Sequence, residues 1–360
     1  MRRKINVGTI VFYSIYVIFI IAFAFGVNFL LSKLYTFLDN YEKALPKYEA
    51  EQIFTDYYSP VRFDALYEKE GIQSLSSFED KSDFVRYMEN VVKDKEITYR
   101  EVSAGLGDDK KYCIYADGNK FSEFFITKKQ SPESPSDTWE LKSVKTYFKT
   151  EQSVSVQTVK TSKLYLNGIE VPSENITQDD IETATVKHMP EGVSGIYHRT
   201  YKIDGLLLQP ELKVIDRNGK ESTLIFDEEK QMFVEQIGYD EFDDTKKALL
   251  ENAVQTYAKF MTLDSSLYNV RKYFDSTSKT YTYIRTADTW CYTPHIGFEF
   301  KDIEFSELYQ YDENTFSARY KCNHYVYRTQ TDHFLFPLDL TLYFKNINGT
   351  FYAYDMVSNY

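Results

Sequence analysis

The chain has 360 residues, enough for two or three domains, and its 54 Asp+Glu outweigh 42 Lys+Arg for a formal net charge of −12. That balance repels phosphate backbones and anionic headgroups, which argues against nucleic acid as a partner and against membrane attachment through a basic patch. Three cysteines, Cys113, Cys291 and Cys322, are too few and too odd a number for a disulfide framework, and no pair of them has zinc-ligand spacing.

The front of the chain is the most informative stretch. Arg2, Arg3 and Lys4 precede Ile5 to Ser32, which contains no charged residue. As a helix this run is about 40 Å long, more than the roughly 30 Å hydrocarbon core of a bilayer. Basic residues before an apolar span keep that end in the cytoplasm. The expectation is therefore a cytoplasmic tail over 1–4, a membrane anchor over 5–32 and the bulk of the chain outside the cell membrane. Without the three basic residues, the outer part carries −15 instead of −12. Ala22-Phe23-Ala24 fits the small-x-small pattern of a signal-peptide cleavage site, but the apolar run continues past it through Phe25, Phe29 and Leu31. A signal core of about 7–15 residues does not explain that length. Low cysteine content in an exported chain fits a Gram-positive cell envelope.

Lys33 to Tyr58 has helical spacing in Leu34, Leu38, Tyr41, Leu45 and Tyr48, and Pro46 divides it into a stalk over 33–44 and the first helix of a domain over 45–150. Further helices are expected over Val61–Glu70 and Asp80–Val92, the latter capped by Asp80 or Ser82. The period then changes to two. Strands are expected over Thr98–Leu106, Tyr112–Ala116, Phe121–Lys128 and Thr138–Phe148, with Asp117-Gly118-Asn119 as a hairpin turn and a Pro-rich loop at 130–137.

Residues 151–237 read as a small, nearly all-β connector. Val154, Val156, Leu164, Leu166, Ile169 and Val171 alternate, Asn167-Gly168 and Arg217-Asn218-Gly219 supply turns, and a short helix is expected over Gln178–Lys187. Residues 238–360 return to helix over Asp240–Phe260, with a stripe of Ala248, Leu249, Ala253, Tyr257 and Phe260, and again near Ser265–Tyr281. Four strands follow: Gly297–Tyr309, Thr315–Arg328, Pro337–Phe344 and Phe351–Ser358. The fold class expected is a transmembrane helix followed by α+β, with two helix-plus-antiparallel-sheet domains separated by a small β domain.

Helices followed by a long-stranded antiparallel sheet with a G-x-[FW]-x-[AVIL] closing strand resemble the nuclear transport factor 2 family. The carrying residues are Asp137-Thr138-Trp139-Glu140-Leu141 in the first domain, where Asp137 replaces the glycine, and Gly349-Thr350-Phe351-Tyr352-Ala353 in the second. The resemblance implies a curved sheet wrapped round helices into a cone. The arrangement also resembles single-span Gram-positive surface proteins. Some members of the family are isomerases or dehydratases with an Asp or His base inside the cone, which turns attention to His295, His324, His333 and Asp339.

His324 shares a strand face with Phe316, Tyr320 and Cys322, so Tyr320, Cys322 and His324 are the candidate cavity-lining residues. The plainer alternative is a structural histidine bonded to a tyrosine. No second acid and no oxyanion group is recognisable from spacing. Cys322, His324 and His333 lack a fourth metal ligand, Ala104-Gly105-Leu106-Gly107 lacks the lysine and helix start of a phosphate loop, and Ser276-Thr277-Ser278-Lys279 has no accompanying K-T-G. No catalytic residue, cofactor or metal is therefore assigned. The function expected is a non-enzymatic interaction scaffold for other envelope proteins or cell-wall polymer, with a small-molecule or glycan binder and an isomerase-like enzyme as the alternatives.

Overall fold

The structure, a computed structural model, describes residues 7–73, 75–103, 108–129 and 138–360. Arg2, Arg3 and Lys4, the Ala104-to-Gly107 stretch and the Pro-rich loop with Asp137 lie outside the described residues.

Helix α1 (Val7–Lys43) carries the apolar run and the stalk as one continuous element. It is long and apolar enough to cross a membrane, and none of its apolar window is buried within the protein. It stops just short of Pro46, which occupies the first position of α2 (Pro46–Tyr57), where a missing N–H costs nothing.

The chain divides into two compact units, the first comprising 1–153 together with 204–210. After α2 come α3 (Phe63–Glu70) and α4 (Lys81–Val92). Asp80 caps α4 by accepting from the N–H groups of Ser82 and Asp83, and Asp83 returns the bond to the Asp80 N–H. Strands β1 (Ile97–Val102), β2 (Lys110–Ala116), β3 (Asn119–Lys129) and β4 (Thr138–Thr146) form an antiparallel meander in chain order. Asp117 and Gly118 both take positive φ (47° and 79°), as a two-residue hairpin turn demands. Ile53, Tyr58, Leu66, Phe84, Met88, Ile114, Phe124 and Ile126 form the core. Leu207 joins it, while Oε1 of Glu79 accepts from the N–H groups of Leu207 and Leu208 at 2.8 and 3.1 Å.

The second unit comprises 154–203 and 211–360. Its first part is β-rich: β5 (Gln152–Val159), β6 (Lys163–Leu166), β7 (Ile169–Glu170), β8 (Ile176–Glu182), β9 (Tyr197–Leu206), β10 (Leu212–Ile215), β11 (Glu221–Ser222), β12 (Leu224–Asp227) and β13 (Met232–Glu235). They form one sheet in the order β11-β10-β6-β7 and another in the order β12-β13-β5-β9-β8. Of the alternating residues, Val154, Val156, Leu164, Leu166 and Val171 are buried, whereas Ile169 is exposed in its two-residue strand. The helix expected over Gln178–Lys187 is instead the edge strand β8, followed by a single 3-10 turn at Val186–His188. Pairing with β9 overrides the helical look of its acidic residues, and two register shifts along it accommodate Asp180 at φ 54°.

The second part begins with α5 (Asp244–Met261), α6 (Leu267–Val270) and α7 (Lys279–Thr286). The buried stripe of α5 is Leu250, Ala253, Val254, Tyr257, Ala258 and Met261; Ala248 is exposed and Leu249 and Phe260 are half-buried, so the stripe expected from sequence is rotated toward solvent. The single helix expected near Ser265–Tyr281 is broken, because residues 273–275 bond to a strand: Ala353 N–H donates to the Tyr273 carbonyl and Asp275 N–H to the Ala353 carbonyl. Strands β14 (Gly297–Asp312), β15 (Thr315–Tyr327), β16 (His333–Ile347) and β17 (Thr350–Ser358) form a second antiparallel meander. His333, expected beyond a strand end, opens β16. Phe274, Phe316, Leu342 and Phe344 pack with the α5 stripe to form the core.

Candidate binding cleft

One concave feature of the second unit is an open cleft of about 820 Å³. Helix α5 contributes Tyr257, α7 contributes Lys279 and Tyr283, the loop after α7 contributes Trp290, and Phe336 and Met356 come from β16 and β17. Trp290 is held in place from the backbone. Its N–H donates to the Met261 carbonyl at 2.7 Å, and the hydroxyl of Thr289 donates to the same carbonyl at 2.6 Å. These bonds satisfy a carbonyl at the C-terminus of α5 that the helix itself leaves unpaired. The indole then meets Tyr257 edge-on at 5.4 Å and lies near-parallel to Phe336 at 5.7 Å. Such a wall offers apolar and π contact to a ligand with few polar requirements. Lys279 is exposed and Tyr283 is 63 % exposed, whereas Thr280 and Asp339 of the lining are buried.

A second cavity of about 710 Å³ is lined by Lys160, Asp180, Arg199, Arg217, Tyr309 and Tyr311, among others. Its cations are already engaged: Lys160 by Asp180, Arg199 by Asp179 at 3.2 Å, and Arg217 by Asp240 at 2.6 Å. Carboxylates of the chain hold the charges that would otherwise draw an anionic ligand.

Of the residues singled out from sequence, Asp339 lines the aromatic cleft, while Tyr320, Cys322, His324, His295 and His333 are not part of its lining. Tyr320, Cys322 and His324 sit side by side on β15 and are all buried, at 0, 2 and 0 % exposure. Gln255 of α5 donates to the Tyr320 hydroxyl at 3.1 Å. Burial pushes the Cys322 thiol up to about 12, so it is no nucleophile at neutral pH. All three cysteines are free and buried, so Cys291 and Cys322 do not pair. His324 makes no bond to a tyrosine. Its ring stacks on Phe300 at 4.3 Å, with Phe298 and Phe336 near 6 Å, and neither ring nitrogen has a hydrogen-bond partner. Burial lowers its pKa to about 4, which keeps the ring neutral. Asp339 is held by Arg319 through two bonds of 2.7 Å, and those bonds keep its carboxyl below the usual range. Among the described residues, no three His, Cys, Asp or Glu side chains gather as a metal site.

Sequence reasoning missed a pairing of His295 with Asp264. Nε2 lies 2.9 Å from Asp264 Oδ1 and Nδ1 lies 3.1 Å from the Thr293 carbonyl. Both partners are acceptors, and the carboxylate above all raises the histidine pKa. Also missed was the cleft, whose walls come from residues 257 to 360 and converge only when the sheet folds.

No protein-family model matches the sequence, and no curated protein matches it. Among solved structures, one described as an "Ntf2 like protein involved in plasmid conjugation" is similar at 9 % identity and a TM-score of 0.24, covering 78 % of this chain and 88 % of that one. The chain thus has an N-terminal apolar helix, mixed helix and sheet content, and a weak structural neighbour of the nuclear transport factor 2 type.

Proposed function

We propose that this is a non-enzymatic, membrane-anchored envelope protein. Helix α1 anchors it with the N-terminus in the cytoplasm, and the bulk of the chain faces outward in a Gram-positive envelope. Each helix-plus-sheet assembly is taken as a cone-like domain of the nuclear transport factor 2 type, the first over 45–150 and the second over 238–360. The protein works by contact with other envelope proteins, and the aromatic cleft is the recognition site.

The observation that carries this reading is the open cleft walled by Tyr257, Trp290, Phe336 and Met356, whose lining carboxylate, Asp339, is buried and already held by Arg319 through two bonds of 2.7 Å. His324, the best candidate for a base, is sealed among phenylalanines and neutral, which supports contact over proton transfer. The cleft's aromatic walls also favour one second reading, a small-molecule or glycan binder.

The test is capture from chemically crosslinked cells using the whole chain and a Trp290→Ala variant expressed to the same level. One or more envelope proteins should be held by the unchanged chain and lost from the variant. Identical captures from both would sink the cleft as the recognition site. Native mass spectrometry that finds a small molecule or glycan retained by the unchanged chain alone would support the second reading.

A further inference from the structure

The sheet of the second unit manages two stretches of its edge and leaves a third bare. Along β14 the register with β15 shifts three times, between Lys301 and Glu304, Ser306 and Tyr309, and Gln310 and Asp312. The same strand carries Glu299, Asp302, Glu304 and Glu307. An irregular, acidic edge resists addition of another strand. The outer side of β17 is closed by residues 273–275, through the bonds of 2.8 and 2.9 Å that Ala353 makes with Tyr273 and Asp275.

The third stretch belongs to β16. Strand β17 pairs with it only from Ile347 to Leu340, and one further bond, Asn359 N–H to the Asp339 carbonyl at 2.9 Å, ends the contact. From His333 to Leu338, β16 stays in unbroken register with β15, and among the described residues no strand pairs with its other side. Peptide groups along a strand point to alternate sides. Because the Asp339 carbonyl faces Asn359, the N–H and C=O of Leu335 and the C=O of Pro337 face the open side. Proline is tolerated at such a position because it has no N–H to leave unpaired. The bare stretch spans roughly 20 Å, the length of a strand of about six residues.

This edge borders the aromatic cleft: Phe336, Pro337 and Leu338 line it together with Tyr257, Trp290 and Met356. Lys279, on the helix that contributes the opposite wall, is exposed and has no carboxylate partner among the described residues. We propose that the edge takes an extended acidic peptide as an added strand beside β16. Its main chain bonds Leu335 and Pro337, an apolar side chain enters between Tyr257, Trp290 and Met356, and an acidic side chain reaches Lys279. Main-chain bonding supplies affinity in this mode, while pockets for alternate side chains supply selectivity. The proposal rests on the cleft being a recognition site and specifies the chemistry of what it recognises.

The test uses the full chain in lipid nanodiscs and a phage-displayed library of linear heptapeptides. The tightest binder is then synthesised with each backbone amide N-methylated in turn. Methylation at alternate positions should weaken binding by about tenfold or more and leave the intervening positions unaffected, since only one set of amides faces the edge. Lys279→Glu should weaken the same peptide by about tenfold, and Trp290→Ala should also weaken it. Binding that depends on Trp290 but shows no alternation would overturn the added strand and leave the cleft as a recognition site. Peptide binding indifferent to Trp290 would remove both. Selection of no peptide, or a concentration-dependent dimer of the chain abolished by Leu335→Pro, would also overturn the proposal, the latter by giving the edge to a second copy.

Discussion

The two helix-plus-sheet assemblies, α2 to β4 and α5 to β17, share an element order of three helices and a four-stranded antiparallel meander, yet they finish their sheets differently. In the first, β4 pairs with β3 from Ser122 to Lys129, and the Tyr147 N–H continues the ladder to the Phe121 carbonyl. In the second, β17 leaves the start of β16 bare. They also treat buried polar groups differently. Glu123 of β3 is buried, which alone would raise its pKa, but ion pairs with Lys120 and Lys111 outweigh that and keep the carboxylate charged. His324 of β15 is as buried and has no partner. One architecture thus covers the outer side of its third strand in one sheet and leaves part of it bare in the other, and it answers the buried Glu123 with ion pairs while leaving the buried His324 ring without a partner.

The largest expected effect tests whether the two cores are separate. Trp139 and Trp290 are the two tryptophans, one in each unit, so Trp139→Phe and Trp290→Phe backgrounds each leave a single fluorescent reporter. Tyr257→Asp places a carboxylate where the ring is 6 % exposed and should cost the second unit several kcal/mol. Phe124→Ala empties a fully buried site in the first and should cost about 3–5 kcal/mol. Each change should lower the unfolding temperature seen by the tryptophan of its own unit. A change that moves both reporters equally would break the comparison.

Acid separates the units next. All five histidines, His188, His198, His295, His324 and His333, belong to the second unit. The pKa of His324 is about 4 when folded and near 6.5 when unfolded, so the unfolded state binds the proton first. Its contribution is intact above pH 6.5 and is lost as pH falls toward 4, in all roughly 3 kcal/mol. His198, lowered by burial, acts in the same direction. His295 acts oppositely: its raised pKa gives stability below pH 6.5 that is lost as pH rises through the folded value. In the first unit Glu70 and Glu79, raised by burial, lose stability as pH rises, so it should hold or gain slightly on acidification. Denaturant titrations between pH 7 and 4.5 should show the second unit weakening, and His324→Phe should flatten that slope. An unchanged slope would mean that the ring is not buried neutral.

Local chemistry was legible in the sequence; convergence was not. Pro46 marked the end of α1, Asp80 the start of α4, and Asp117-Gly118 and Asn167-Gly168 their hairpins, because each is decided by the φ angles or donors of a few neighbouring residues. Residues Gln178 to Glu182 were misread because a polar edge strand carries no alternation, and only pairing with β9 makes it a strand. The alternation of Tyr320, Cys322 and His324 correctly put them on one buried face, but burial is not access to a cavity. The cleft depends on Trp290 being tied to Met261 and on β17 stopping at Leu340, both of which are contacts over long separations.

The smallest expected effect concerns how the helices begin. In α4 the side chain of Asp80 accepts from two N–H groups, at 2.7 and 3.2 Å, and Asp83 closes the box at 3.1 Å. In α7 the hydroxyl of Ser278 accepts from one, the Tyr281 N–H at 3.0 Å, and nothing returns the bond. Substituting either cap by alanine leaves helix N–H groups to be satisfied by water, at about 1 kcal/mol for a typical cap. Two bonds and a reciprocal partner should put Asp80→Ala at or above that figure, and Ser278→Ala below it. The carboxylate of Asp80 also sits at the positive end of the helix dipole, an interaction that a serine hydroxyl lacks. Because the Ser82 hydroxyl and the neighbouring N–H groups bond the charged form and hold its pKa below the usual value, the Asp80 contribution should be present above pH 4 and fade as acid protonates the side chain. Chemical denaturation of the two single variants at pH 7 and at low pH checks this. A larger loss from Ser278→Ala would show that packing of α7 beside the cleft, not its cap, decides how firmly that wall is held.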